Sequence, residues 1–485
     1  MNTWDLNLAL RSWEQGKAIP ATACQLNAIQ SQALVFCPLA MAGEDPSLHA
    51  VMLGEIGGGS QLLVAADPRA PRARMELFSR LSKIMSSHFQ NSLKQDGCLP
   101  QLVVPSASAA EVIVALADWL PYLQDPKDGG KQMKQWVQDA RLLGGLLQFY
   151  SQRAPLTGQQ SLLIASEMLS AHFAFGQELR GHLGAQMIWV SPPANIDVAL
   201  AAAKADQQPM GARTESLFDV KTLGPALEDW AKVERGGSRS LTSFRRQEIE
   251  DMLREVLEPI FEATSQAVLA VQDMKLPLLE GLSQVCQRDR EAFEYHLSHI
   301  AADGKFARRD NASRAAYGLA EREDALQQWE ASLLWGDPVR RARAEVDGEI
   351  LSGLSTSLPS EEGDFMVVTS SQRGLRIRRG DELTWMENGS SVAVISEISQ
   401  QGSETRVLLS VRPAQDQLPS DGEISQWAGS PPDWFRLSSE RGNIARSLKS
   451  LPETHQVEPD DSVSPSAPLW DDSQVDPLAA LEGLR

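Results

Sequence analysis

The sequence predicts an α/β protein with added helical and small β-barrel modules: an N-terminal α/β domain, a long-helix stalk, a β-barrel and a disordered acidic tail. Three observations support this fold class. Strand-like and helix-like runs alternate over residues 1–235, amphipathic helical spacing covers 241–357, and short alternating strands follow over 363–412. The 485 residues exceed what one hydrophobic core usually holds, so several domains are expected.

The N-terminal domain is predicted from short apolar runs separated by helical ones. Strands alternating with helices are typical of an α/β sheet with parallel pairing. A glycine turn inside residues 49–68 predicts a hairpin. The remaining predicted strands are 33–41, 101–106, 161–166 and 185–193, and the predicted helices are 72–89, 107–123, 131–150 and 167–180.

Residues 241–357 are predicted to form a stalk of long helices packed antiparallel. A glycine-rich stretch at 236–240 predicts a hinge before them. Met252, Val256 and Ile260 recur at helical spacing and predict the buried stripe of the first long helix.

The barrel and the tail are predicted from strand spacing and composition. Four or five alternating strands over 363–412 are too few for a large sandwich, and closure into a small barrel would remove exposed strand edges. Residues 413–485 are rich in Pro, Ser, Asp and Gln, a composition that predicts disorder.

Charge and cysteine content limit the classes of function. The formal net charge of −19 opposes non-specific adsorption to nucleic acid or anionic membrane, so any phosphate contact requires a local basic patch. Four scattered cysteines predict reduced thiols rather than a disulfide framework. The N-terminus lacks signal-peptide character and no apolar run is long enough to span a bilayer, so we expect a cytoplasmic protein without membrane contact.

No intact nucleotide-hydrolysis motif occurs. Gly57, Gly58, Gly59 and Ser60 follow a strand-like run, but no lysine follows the glycines and another strand comes next. A phosphate-binding loop needs that lysine and a following helix. We therefore interpret the glycines as a turn and expect no ATP hydrolysis and no cofactor.

Two parts of the chain resemble superfamily-1 helicases. The run QLVVPSASAAEVIVALADWL (101–120) resembles the second strand and helix of their motor domain, where a small-residue turn contacts single-stranded nucleic acid. Residues 244–412, with GLRIRRGDELTW, resemble the stalk and β-barrel inserted in one branch of the family. The phosphate loop, the D-E-A-x box and a second motor domain are missing. The resemblance thus implies either an accessory or degenerate relative of these helicases or a separately evolved stalk and barrel.

Arginines form the basic patches of this acidic chain. The main group is predicted on one barrel hairpin, where guanidinium groups could pair with phosphates. Solvated faces paired with Glu and Asp are the alternative interpretation. The main group is Arg373, Arg376, Arg378 and Arg379; Arg308, Arg309 and Arg314 form a second, and Arg340, Arg341 and Arg343 a third.

One predicted helix carries residues with catalytic potential. His296 and His299 share a face and could hold a metal with a third ligand such as Glu294, although a structural pair is the simpler interpretation. Arg290 precedes His296 by six residues, a spacing that resembles the R-x4–6-H pair of HEPN-type ribonucleases. That resemblance implies stabilisation and protonation of a scissile phosphate.

The end of the chain predicts a partner-binding motif. The acidic tail contains a few large apolar residues: Trp470, Leu478, Leu481 and Leu484. The three leucines are spaced to share one side of a helix. We therefore predict a non-catalytic adaptor or scaffold subunit of a cytoplasmic, possibly nucleic-acid-processing complex, which binds a protein through its tail and contacts nucleic acid weakly through the barrel. The alternative is a hydrolase, a nuclease in particular, whose active site carries no recognisable motif.

Overall fold

The computed structural model describes residues 3–42, 48–95, 99–126, 130–179, 181–302, 304, 312–360, 363–372, 374–389, 391–412 and 418–432. The protein is a mixed α/β structure, as predicted. The helices are α1 (Thr3–Gln15), α2 (Pro71–Leu93), α3 (Ala107–Trp119), α4 (Lys131–Arg153), α5 (Ala165–His172), α6 (Leu183–Val190), α7 (Val198–Ala205), α8 (Ser216–Phe218), α9 (Gly224–Arg235), α10 (Arg239–Asp273), α11 (Leu282–Ala301), α12 (Ala312–Gly336) and α13 (Pro338–Val346). Short 3-10 and π turns occupy Leu120–Tyr122 and Asp219–Leu223.

The strands fall into a pair, a five-stranded sheet and a ring of six. The pair is β1 (Ile19–Pro20) and β7 (Phe173–Ala174). The sheet contains β2 (Leu34–Ala40), β3 (Leu48–Glu55), β4 (Ser60–Val64), β5 (Leu102–Val104) and β6 (Leu162–Ile164), and the ring contains β8 (Leu351–Ser360), β9 (Gly363–Ser370), β10 (Glu382–Trp385), β11 (Val392–Gln401), β12 (Glu404–Arg412) and β13 (Ile424–Ala428).

The five-stranded sheet has the order β4-β3-β2-β5-β6. The strands β2, β5 and β6 pair in parallel, whereas β3 and β4 add an antiparallel hairpin at one edge. The predicted hairpin and the predicted parallel pairing are therefore both present. Gly57 has a φ of 70° in the hairpin turn, a conformation that glycine adopts without strain.

Both faces of this sheet are covered by helices. Side chains alternate across a strand, so Leu34 and Phe36 of β2 point into a core shared with α2, α3 and α4. Val35, Cys37 and Leu39 of the same strand point into a second core shared with α5 and α10. Burial on both faces explains why β2 is a continuous apolar run.

The helix α10 belongs to the α/β domain and not to a separate stalk. Leu253, Leu257 and Ile260 are buried in the second core, where α10 packs on β2, β3 and β4. Of the predicted stripe, Ile260 is buried, while Met252 and Val256 are half-buried. The helix exists as predicted, but its apolar face packs on the sheet and on α5, α6 and α9 of the α/β domain instead of within a separate bundle of stalk helices. Helical periodicity shows which face is apolar and gives no information about what covers it.

The helices α11 and α12 also pack on earlier parts of the chain, and α12 in addition contacts α13. Phe293 of α11 lies edge-on against Phe89 and Phe149, with ring centroids 5.5 and 4.9 Å apart. Trp329 and Leu333 of α12 pack beside the buried Cys24–Leu26 region. The predicted stalk also ends too late at residue 357, because β8 begins at Leu351.

Residues 185–193, predicted to be a strand, lie largely in the helix α6. The side chain of His182 accepts a hydrogen bond from the Ala185 amide at 3.2 Å and caps its first turn. Ala185 and Trp189, one turn apart, are buried in a small core with α7. A short apolar run has no clear period, so its spacing cannot separate a buried strand from a buried helix.

The six C-terminal strands pair antiparallel in a closed ring, β10-β11-β12-β9-β8-β13. Its interior holds Leu351, Met366, Ile395, Leu409 and Trp427. The ring covers Leu351–Ala428 and is larger than the predicted 363–412, because β8 and β13 supply the two strands that complete it. The segment 413–485, predicted as tail, therefore contains one strand of the ring, Ile424–Ala428.

A buried carboxylate joins the N-terminal segment to the start of α13. Asp337 accepts hydrogen bonds from the Thr22 hydroxyl at 2.7 Å, the Ala23 amide at 3.0 Å and the Val339 amide at 3.0 Å. It caps α13 and holds residues 22–23 with the same two oxygens. Within the described ranges, no helix combines the length and hydropathy needed to cross a membrane.

Candidate nucleic-acid interface

The predicted arginine group lies on an extended segment between β9 and β10. Leu375 and Ile377 pack against the interior of the ring, while Arg376 and Arg378 alternate with them and are exposed. Alternation is the geometry of extended backbone, in which successive side chains point to opposite sides. The apolar residues thus anchor the segment, and the guanidinium groups project away from the protein.

Backbone hydrogen bonds hold this arginine segment, residues 374–381, at both ends. The Arg376 amide donates to the Gly348 carbonyl at 2.8 Å, and the Gly380 amide donates to the Ile395 carbonyl at 2.8 Å. The Arg378 amide donates to the Asp381 carboxylate at 2.6 Å. These contacts fix the spacing of the exposed arginines before any ligand binds.

The electrostatics of the segment leave the arginines accessible. Arg376, whose side chain is 65 % exposed, lies 3.8 Å from Glu349, and Glu349 also contacts Arg340 at 3.4 Å. An exposed pair at such a distance contributes little, so exchanging Glu349 for a phosphate would cost little. Among the described residues, no carboxylate lies within ion-pair distance of the Arg378 or Arg379 side chains.

Some predicted site residues cannot be placed. Arg373, the first of the predicted phosphate contacts, lies outside the described residues. The same holds for the predicted partner-binding residues Trp470, Leu478, Leu481 and Leu484. The structure therefore brings together Arg376, Arg378 and Arg379 only.

The described members of the other two arginine groups are not assembled into a phosphate site. Arg308 and Arg309 are outside the described residues, and Arg314 is exposed on α12. The third group supports α13: Arg340 pairs with Glu349, Arg343 pairs with Asp5 at 2.9 Å, and Arg341 donates to the Trp335 carbonyl. For this group, the interpretation as paired surface charge is the one the geometry favours.

The arginine and histidine that suggested a nuclease have structural roles instead. Arg290 donates to the carbonyls of Leu93, the last residue of α2, at 3.1 Å and of Gln95 at 2.8 Å. His296 is buried and donates from Nε2 to the Gly145 carbonyl at 2.7 Å, and burial lowers its pKa. A neutral imidazole that is already bonded to a carbonyl is a poor acid for a phosphate leaving group.

The thiols and the histidine pair offer no reactive centre in the described part of the chain. Burial raises the pKa of the Cys37 and Cys286 thiols to about 12, which suppresses the nucleophilic thiolate. No three metal-ligating side chains converge among the described residues, so His296 and His299 are not joined there by a third ligand.

Sequence reasoning missed the anchoring side chains of the arginine segment. Leu375 and Ile377 alternate with Arg376 and Arg378 in the run LRIRR. That alternation was a usable signal for one buried and one exposed side. Residues that meet from distant elements, such as Thr22 and Asp337, gave no comparable local signal.

No protein-family model matches the chain, and neither a curated protein nor a solved structure is significantly similar to it.

Proposed function

We propose that this protein is a non-catalytic adaptor that contacts the phosphate backbone of nucleic acid through the arginine segment. The observation that carries the proposal is the anchored extended geometry, with Leu375 and Ile377 half-buried against the interior of the ring and three arginines exposed. Guanidinium groups are planar donors that bind phosphate oxygens bidentately, and a fixed spacing reduces the entropy lost on binding.

The proposed contact is to phosphate and not to bases. The segment offers guanidinium donors but no exposed aromatic side chain on which a base could stack. Phosphate contacts position a protein on nucleic acid and carry no sequence information. The overall charge of −19 opposes the polyanion, so binding is weak and strongly dependent on salt.

The adaptor proposal also includes a protein partner bound through the C-terminal tail. The apolar residues Trp470, Leu478, Leu481 and Leu484 would enter a groove of that partner, in the cytoplasm. The non-catalytic part of the proposal is supported by the structural roles of Arg290 and His296.

The test is binding of a fluorescent single-stranded 20-nucleotide oligomer, measured by anisotropy at about 50 mM salt, where phosphate contacts are strong. Arg376→Glu with Arg378→Glu should weaken binding equally for oligomers of different sequence. Lys17→Glu with Lys94→Glu makes the same change in net charge at exposed positions of the α/β domain and is the matched control. No binding by the wild type, or an equal loss in the control, would exclude the proposed interface.

A further inference from the structure

A groove separates α11 from α12 and has a volume of about 920 Å³. It is lined by the loop 156–159, by Ala292 and Tyr295 of α11 and by Glu321 and Ala325 of α12. The volume falls within the range of sites that hold a peptide segment or a large ligand. We call it the α11–α12 groove.

The base of this groove is rigid. Asp289, only 4 % exposed, accepts a hydrogen bond from the Gln160 amide at 3.0 Å. Arg153 lies 3.8 Å from Asp289 and 3.7 Å from Glu321, so one guanidinium joins α4, α11 and α12. The ring of Trp329 covers Gly158 on the other side of the loop. The groove is therefore preformed.

The rim of the groove offers the chemistry of a cation site. Tyr295 is 76 % exposed, and Glu291 lies one turn before it on the same side of α11. The charged residues that line the groove are Arg153, Arg288, Asp289, Glu291 and Glu321, and Arg153 already pairs with Asp289 and Glu321. The contact offered to a guanidinium or ammonium group is therefore the exposed ring of Tyr295 beside Glu291, and Ala292 and Ala325 offer apolar contact to its methylene stem.

The last described residues contact the C-terminal end of α12, the helix that forms one wall of this groove. The Trp335 indole donates to the Gly429 carbonyl at 3.2 Å, so the segment that leads to Pro432 passes the C-terminal end of α12. Trp335 lies ten residues after Ala325, a separation of about 15 Å along the helix axis. Trp335 lies fourteen residues, nearly four helical turns, after Glu321, so Trp335 and Glu321 lie on similar sides of α12.

The sequence that follows Pro432 has the complementary composition. Residues 433–449 carry four basic residues, Arg436, Arg441, Arg446 and Lys449, against the acids Asp433 and Glu440, although the whole chain is acidic. Ile444 and Leu448 are apolar residues of the same segment. Nine residues separate Arg441 from Pro432, and an extended chain of that length spans about 30 Å, enough to reach the groove.

We infer that the α11–α12 groove is the docking site for this chain's own basic segment, residues 436–449. The tether from Pro432 makes the contact intramolecular, which raises the effective concentration of the segment at the groove. The acidic remainder of the tail would then extend from α11 and α12, available to a partner. This inference is independent of the proposed phosphate contact, which uses a different surface.

The test is disulfide trapping in the full-length protein with Cys98→Ser, because the other three thiols are buried. The test pair places one cysteine in the groove, by Gln284→Cys, and one in the basic segment, by Ile444→Cys. The control pairs the same Ile444→Cys with Glu255→Cys, an exposed position of α10 outside the groove. Under limiting oxidant, we expect the groove pair to form at least about tenfold faster than the control pair, as a docked tether implies.

A charge exchange tests the mode of recognition. Glu291→Arg alone, or Arg441→Glu with Arg446→Glu alone, should slow trapping, and combining them should restore part of the rate. Equal rates for the groove and control pairs would overturn the inference. A disulfide that forms only between two chains, at a rate that depends on protein concentration, would also overturn the inference. The same holds if neither charge change alters the rate of trapping.

Discussion

Replacing Leu257 in the middle of α10 tests whether this helix is part of the α/β core. Leu257 is fully buried in the core that α10 shares with β2. Leu257→Ala removes three carbon atoms, a transfer loss of about 2.4 kcal/mol at roughly 0.8 kcal/mol per methylene. The cavity left behind raises the expected loss of unfolding free energy to about 2–5 kcal/mol.

The assay is urea unfolding followed by circular dichroism, with amide hydrogen exchange to locate the effect. Leu241→Ala, at an exposed position of the same helix, is the control, and its effect should stay within about 0.5 kcal/mol. In Leu257→Ala, protection should fall in α10 and in β2 together. Equal effects of the two substitutions, or loss of protection in α10 while β2 keeps its own, would refute the packing of α10 on the sheet.

Three further outcomes follow from individual contacts. Asp337→Ala leaves buried donors without an acceptor and should cost about 3–5 kcal/mol in urea unfolding. Gly158→Ala should cost about 1–3 kcal/mol, because φ is +77° there and a Cβ would lie 2.5 Å from the Trp329 ring, and the fluorescence of that tryptophan should change. Burial lowers the pKa of His172, so the unfolded state takes up a proton at a higher pH than the folded state, and stability should fall as pH decreases below about 6.5. His172→Gln should flatten that dependence in unfolding measured between pH 7.5 and about 5.5.

The long and periodic elements of the fold could be predicted from the sequence. The apolar run of β2, the hairpin of β3 and β4, and the spacing of α10 each follow from local side-chain patterning. Local patterning gave no information about the surface on which α10 packs. The packing surface of α10 is determined by the second face of β2, where the apolar side chains of Val35 and Cys37 must be buried.

Errors arose where short elements are defined by distant partners. The strand β8 carries exposed Leu354 and Leu358 among serines, so it lacks the alternation that identifies a half-buried strand. The strand β13 has five residues and follows a polar stretch; its pairing with β8 and β10 completes the ring. Neither pairing can be read from neighbouring residues, because the paired residues lie 42 to 76 positions apart in the chain.

The candidate interface was predicted in composition but not in geometry. The cluster of Arg376, Arg378 and Arg379 is visible in the sequence, which predicts a strand hairpin for these residues. They lie before β10 in an extended segment fixed by Gly348 and Ile395. The hydrogen bonds that fix it come from the turn between α13 and β8 and from β11, which local propensity does not reveal.

The salt dependence of oligonucleotide binding tests the central claim most directly. The logarithm of the binding constant falls with the logarithm of salt concentration by about 0.7 per phosphate contact on a single strand. Arg376→Gln with Arg378→Gln removes two proposed contacts without introducing negative charge, so the slope should decrease in magnitude by about 1.4 relative to wild type. A slope unchanged in this variant would contradict the proposal that the arginine segment binds the phosphate backbone.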